Sequence, residues 1–207
     1  MGNSDVAIVF DLGGVLIDWN PRHLYRRLFD DEAAMEKFLS EVCTPHWNEQ
    51  QDAGRPFAEA VSLLVAEHPQ HEDLIRVFWD RWHEMVAGAI EPTVAVLAEL
   101  KEAGFPLYAL SNWSAETFAR ARPMFEFFDW FEDLVISGEV KLIKPDPRIF
   151  ELLLGKIGRP ARKCVYIDDS AANASAAREL GFQAIHFTSA EQLRKELIGL
   201  GVLRPEK

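Results

Sequence analysis

The run Val6-Ala-Ile-Val-Phe-Asp-Leu-Gly-Gly-Val15 begins with five apolar residues and then turns on an acid and two glycines. Apolar residues in unbroken succession do not divide into an inner and an outer face, so they suit a strand of a parallel sheet covered on both sides. Similar runs recur at Leu107-Tyr-Ala-Leu110, Leu134-Val-Ile136, Cys164-Val-Tyr-Ile167 and Ala184-Ile-His-Phe187, each followed by a turn and a helical pattern. Pro92, in a first turn, opens a helix that closes at Gly104. Asp146 and Pro147 open another, in which Phe150, Leu153, Leu154 and Ile157 recur at helical spacing before Gly158. Ser170 caps a helix ending at Gly181. Ser189 with Gln192 makes a capping box for the last helix, with Leu193, Leu197 and Leu200 on its inner face. Strand and helix alternate, so the fold class is α/β: a doubly wound, Rossmann-like parallel sheet.

The first strand does not feed directly into the second. Residues 18–88 carry helical periodicity and no convincing strand, with breaks near Thr44-Pro45, Gly54-Arg55-Pro56 and His68-Pro69. The expected organisation is a core of residues 1–17 and 89–207, interrupted by a small α-helical unit over 18–88. Trp19, Trp47, Trp79 and Trp82 lie in that unit. Trp79 and Trp82 are three apart, which predicts one helix face and packing within the unit.

Composition narrows the function classes. The chain has 207 residues, 48% of them hydrophobic and 27% charged, enough for one large core without a disulfide or structural metal. With 33 acidic against 22 basic residues, the net charge of −11 repels phosphate polymers and acidic membrane surfaces, so neither nucleic acid nor membrane is an expected partner. Cys43 and Cys164 stand far apart with no metal-like spacing, as expected of a reducing, cytoplasmic setting. His68 and His71 flank Pro69 with no further ligand nearby, and zinc is not expected there. Met-Gly-Asn-Ser-Asp lacks the basic start of a signal peptide, Val6 stands where a myristoylation signal needs Ser or Thr, and no apolar run reaches the length of a membrane span. Nothing in the chain specifies an oligomeric state.

In an open parallel sheet, ligands bind at the carboxyl ends of the strands, so the residues just after each apolar run are the ones to inspect. They are Asp11-Leu-Gly-Gly14, Ser111-Asn112-Trp113, Lys144-Pro145 and Asp168-Asp169-Ser170, with Asn173 one turn on. Carboxylates brought together at one edge repel one another unless a cation or an ammonium offsets them. The pattern reads as a metal-assisted phosphoryl site. Asp11, Asp169 and a backbone carbonyl suit Mg²⁺, a hard cation that keeps waters and binds together with phosphate. Lys144 supplies a fixed positive charge. Ser111 and the backbone N–H groups after Asp11 and Ser111 can hold phosphate oxygens, and Gly13 and Gly14 let the backbone approach the ligand.

These segments, in order and at this spacing, resemble the four motifs of the haloacid dehalogenase-like hydrolase superfamily. The inserted helical unit is similar to the small α-helical cap of the subfamily that holds phosphoglycolate phosphatase-like enzymes, and Asp-Leu-Gly-Gly-Val with Leu-Ser-Asn most resembles its sugar-phosphate phosphatases. The resemblance implies a Mg²⁺-dependent phosphatase of a small phosphorylated metabolite. Asp11 would be the nucleophile, forming an aspartyl-phosphate that water hydrolyses. Asp169 and the Gly13 carbonyl would hold the metal, with Asp168 binding through water or orienting Lys144. Ser111, Asn112, Gly14 and Lys144 would hold the phosphoryl group, and Ser111 and Lys144 would assist the chemistry.

One position departs from the pattern. Most phosphatases of the superfamily carry a second Asp two residues after the nucleophile, as general acid and then base, and here that position is Gly13. Leaving-group protonation is worth roughly 10²–10⁴-fold in rate. Either another group supplies the proton or the substrate has a leaving group that needs little help. Asp18, Arg22 and His23, at the entry to the insert, are candidates to face the site. The rival functions are a metal-independent 2-haloacid dehalogenase, which has no use for an acidic pair, and a non-catalytic module that binds phosphorylated metabolites.

Overall fold

The computed structural model describes residues 5–205. The leader and acylation readings concern the first residues of the chain, of which Met1–Ser4 lie outside that range. In chain order the strands are β1 (Ala7–Phe10), β2 (Ile17–Trp19), β3 (Val86–Ala89), β4 (Leu107–Ser111), β5 (Asp133–Ile136), β6 (Cys164–Asp168) and β7 (Gln183–His186). Five of them form one sheet in the order β5-β4-β1-β6-β7, all parallel. The chain winds outward from β1 through β4 to β5 and then returns to β6 on the other flank, so the winding direction reverses beside β1. A crevice opens at that point, beyond the carboxyl ends of the strands.

Every residue of β1 is fully buried, and its side chains alternate between two layers. Ile8 and Phe10 pack with Val96, Leu97, Leu100, Leu193 and Leu197, whereas Ala7 and Val9 pack with Ile149, Phe150, Leu153 and Ile157. Removing one such side chain from water is worth about 1.5–3 kcal/mol, which is why the run contains no polar residue before Asp11. The helix ends behave as their residues predict. Asp146 accepts the Arg148 N–H, Ser170 the Asn173 N–H and Ser189 the Gln192 N–H. Gly158 closes its helix in the left-handed region at φ 67°. Leu154 is only partly buried, and Leu200 is exposed rather than inward-facing, because the last helix ends at Gly199.

Between β2 and β3 the chain forms five helices: α1 (Arg22–Tyr25), α2 (Glu32–Glu41), α3 (Pro45–Asp52), α4 (Phe57–Glu67) and α5 (Glu72–Asp80). Two features differ from expectation. Strands β2 and β3 pair as an antiparallel ribbon at the root of this segment, where no strand is expected. With three and four residues, an irregular register and Gly88 at φ 141°, the ribbon has no alternating pattern to read. Trp79 and Trp82 also do not share a helix, since α5 stops at Asp80. Trp79 stacks on Phe57 within the segment, but Trp82 packs against Trp113 at the end of β4. No helix among the described residues is long and apolar enough to cross a membrane. Both cysteines are free and buried.

Candidate active site

Asp11 follows β1 directly, and its N–H donates to the Ile167 carbonyl of β6 (2.8 Å), so the sheet fixes its backbone. Its carboxylate Oδ1 accepts the Leu12 N–H at 2.7 Å and lies 3.1 Å from Lys144 Nζ. Lys144 also donates to the Leu110 carbonyl (2.9 Å) and to Asp168 Oδ2 (2.7 Å). Asp168 is buried and heavily engaged: it accepts hydrogen bonds from the Tyr166 hydroxyl, the Ser170 N–H (2.8 Å) and the Asn173 amide. Asp169 is exposed, and His186 Nε2 lies 2.9 Å from its carbonyl oxygen. Ligand oxygens of Asp11, Asp168 and Asp169 all fall within 4.8 Å of one another.

Three carboxylates at this spacing carry more negative charge than one lysine offsets. Burial, reinforced by Asp168 and Asp169 and opposed by Lys144, pushes Asp11 up to about 7. Asp169 is raised by burial and then by Asp168. Burial alone would lower Lys144, but Asp11 and Asp168 outweigh it and hold the ammonium charged. The cluster is therefore short of positive charge, and a cation is what such a group of oxygens accepts.

The two glycines differ in what they permit. Gly14 sits at φ 73°, and a Cβ there would come within 2.3 Å of Asp169 Oδ2, so a side chain at this position would be strained and would push the Asp169 carboxylate aside. At Gly13 a Cβ would meet nothing within 4 Å. Gly13 lines a cavity of about 70 Å³ together with Ser111, Asn112, Trp113, Thr117, Trp19, Trp82, Asn48 and Asp52. The cavity thus joins the sheet edge to the helical segment above it.

Other expected contacts are rearranged. The Asn112 carboxamide is committed at both ends to the Lys144 peptide, donating to its carbonyl (3.0 Å) and accepting its N–H (2.8 Å). It thereby ties the loop that carries Lys144 to the end of β4. The amides expected to cradle phosphate are partly spent: the Leu12 N–H turns back to Asp11, and the Trp113 N–H donates to Ser137 Oγ at 2.9 Å. Asp18 and His23 pair with each other at 2.9 Å, Arg22 binds Glu36, and none of the three lines the cavity. The residue that does bring a carboxyl group there, and that sequence reasoning missed, is Asp52, the last residue of α3. Its only signal in the sequence is a place just before the break at Gly54.

A carboxylate, a lysine and an acidic cluster thus meet at the switch point of a doubly wound sheet. The haloacid dehalogenase-like hydrolase family model matches residues 6–181, and the chain belongs to that family. It is 25% identical over 192 residues to a sesquiterpene phosphatase from Aspergillus oryzae, covering 88% of this chain and 89% of that one. It is 26% identical over 190 residues to a phosphorylated carbohydrates phosphatase from Thermotoga maritima, covering 87% and 83%. Its fold matches that of a family enzyme from Bacteroides thetaiotaomicron, solved with magnesium and inorganic phosphate, with a TM-score of 0.67, 24% identity and coverage of 88% and 94%.

Proposed function

We propose that this chain is a magnesium-dependent phosphatase that hydrolyses a small phosphorylated metabolite, a sugar phosphate fitting best, through a phosphorylated Asp11. The observation that carries the reading is the convergence of Asp11, Lys144 and the Asp168–Asp169 pair at one strand edge, with carboxylate oxygens within 4.8 Å. The donor set suits Mg²⁺: hard oxygens only, a deficit of positive charge, and a glycine at position 14 that makes room for Asp169. Asp11, Asp169 and the Gly13 carbonyl would hold the ion, which supplies charge neutralisation between carboxylate and phosphate. Asp168 orients Lys144, because its oxygens are occupied by Lys144, Tyr166, Ser170 and Asn173.

The residues of the chain then divide the work. Asp11, held by the Leu12 N–H, presents an oxygen to phosphorus. Lys144 steadies that carboxylate before attack and the phosphoryl oxygens during it. Ser111 and Gly14 border the phosphoryl group, and Asn112 keeps Lys144 in register. The helical segment 18–88 acts as a cap that closes over the leaving group. The phosphatases among the relatives agree with this chemistry, and the carbohydrate phosphatase among them agrees with the substrate. The cavity sets three indoles, Trp19, Trp82 and Trp113, beside the polar side chains of Asn48, Asp52, Ser111 and Asn112, a lining that suits a small polar group.

The test is phosphate release from a panel of sugar phosphates, prenyl phosphates and acyl phosphates, with Mg²⁺ and with EDTA. Release from sugar phosphates that EDTA abolishes is the expected outcome. Halide release from a 2-haloacid in EDTA, with no phosphate from any ester, would replace this reading with the dehalogenase one. Binding of phosphorylated metabolites without turnover would make the chain a non-catalytic module.

A further inference from the structure

We infer that Asp52, reaching down from α3 of the helical segment, is the general acid and base that Gly13 cannot be. The inference rests on the phosphatase reading and adds to it the group that handles the proton. Asp52 comes from the helical segment, Gly13 from the turn after β1 and Ser111 from the end of β4, and all three line one cavity, so a leaving group held there would meet Asp52.

Its placement is built from both sides. On its own helix, Asn48 Nδ2 donates to Asp52 Oδ2 at 3.1 Å. From the core, Ser137 Oγ donates to the Asp52 carbonyl at 2.6 Å, and the Ser114 N–H faces its carboxylate. The turn that follows is pressed onto the core: a Cβ at Gly54 would lie 3.1 Å from Lys141 Cγ and 3.3 Å from the Gly138 carbonyl. These contacts hold the end of α3, and with it Asp52, against the core.

The charged surroundings favour the protonated form. Burial pushes Asp52 up to about 7, and the charges of Glu49 on the same helix and of Asp11 act in the same direction, against the Ser114 N–H. A helix C-terminus disfavours a carboxylate as well. Of the other charged groups on packed elements, Glu116 of the helix after β4 is committed to the Phe57 N–H, and Lys141 packs its methylenes against Gly54. A carboxyl group of this kind can give a proton near neutrality and take one back.

The steps balance. As an Asp11 oxygen bonds to phosphorus and the bridging P–O bond breaks, the Asp52 proton passes to the departing oxygen, which leaves as a neutral alcohol. Asp52, now a carboxylate, takes a proton from the water that attacks the phosphoryl group on Asp11. That step frees Asp11 and inorganic phosphate and returns Asp52 to its acid form.

The experiment measures kcat/KM, which reports transfer to Asp11, for the wild type, Asp52→Asn and Asp52→Asn with Gly13→Asp. The probes are an alkyl phosphate and an aryl phosphate with an acidic leaving group, both in Mg²⁺. Asp52→Asn should lose about 10²–10⁴-fold on the alkyl ester and less than about tenfold on the aryl ester. Gly13→Asp should recover part of the alkyl loss by placing a carboxyl group in the space beside Gly13. Retained aryl activity doubles as evidence that the variant is folded. Equal losses on both esters would make Asp52 a docking residue and overturn the inference, as would unchanged alkyl activity; in either case a phosphatase that needs Asp11 would remain. Absence of phosphate release by the wild type would overturn both.

Discussion

Gly14 shows how much one residue without a side chain can decide. Its φ of 73° and the 2.3 Å approach of Asp169 to a built Cβ make any substitution both strained and obstructive. Gly14→Ala should cost about 1 kcal/mol in backbone strain and force Asp169 outward. Apparent Mg²⁺ affinity, followed by the concentration that half-restores activity after EDTA, should weaken more than tenfold; an unchanged Mg²⁺ requirement would remove Asp169 from the metal site. Asp11→Asn keeps the shape and the Leu12 contact but removes the attacking charge. It should abolish phosphate release while leaving the melting temperature within a few degrees, and wild-type turnover in that variant would take Asp11 out of the reaction.

At the scale of elements, the site depends on how β4 and the short helix after β5 (Ser137–Val140) are stitched to α3. Ser137 is buried, accepts the Trp113 N–H and donates to the Asp52 carbonyl. Ser137→Ala leaves that buried N–H and that carbonyl without partners, a cost of about 1–3 kcal/mol. A urea melt should show that loss, and alkyl-ester hydrolysis should fall more than aryl-ester hydrolysis. A uniform loss on both esters would show that Ser137 supports the fold and not the placement of Asp52. The same elements explain what the sequence made legible. Asp11, Ser111 and Asp168–Asp169 could be located because each ends or follows an apolar run and a parallel sheet gathers such positions at one edge; Lys144 lies beyond a short helix after β5 and is brought there by its bonds to Asn112. Asp146, Ser170 and Ser189 were readable as caps because capping is a bond between near neighbours. Asp52 was not readable, since its approach depends on how five helices settle over the sheet. The ribbon of β2 and β3 and the place of Trp82 against Trp113 were hidden for the same reason: short, irregular elements are held by distant contacts that leave no period in the chain.

For the molecule as a whole, the raised carboxyl groups predict how stability varies with pH. Asp11 and Asp52 rise from an ordinary 3.8 to about 7 in the folded chain. Folding therefore binds protons between those values, and the associated stability is present below pH 4 and lost as the pH climbs through about 7. The lowered carboxyl groups, Asp5, Glu36, Glu84 and Asp146, act in the opposite sense but only in the more acidic range. In EDTA the melting temperature should fall between pH 5 and pH 7.5. Mg²⁺, which competes with protons for the same oxygens, should raise it more at pH 7.5 than at pH 5. A melting temperature that climbs over this interval in EDTA would contradict the charge balance described for the site.

Whether Asp11 carries the phosphoryl group during turnover can be read by rapid acid quench of the working enzyme with a sugar phosphate in Mg²⁺, followed by mass spectrometry of its peptides. The peptide that contains Asp11 should carry one added phosphoryl group, absent in EDTA and absent in Asp11→Asn. Steady phosphate release with that peptide unmodified, or with the phosphoryl group on another residue, would contradict it.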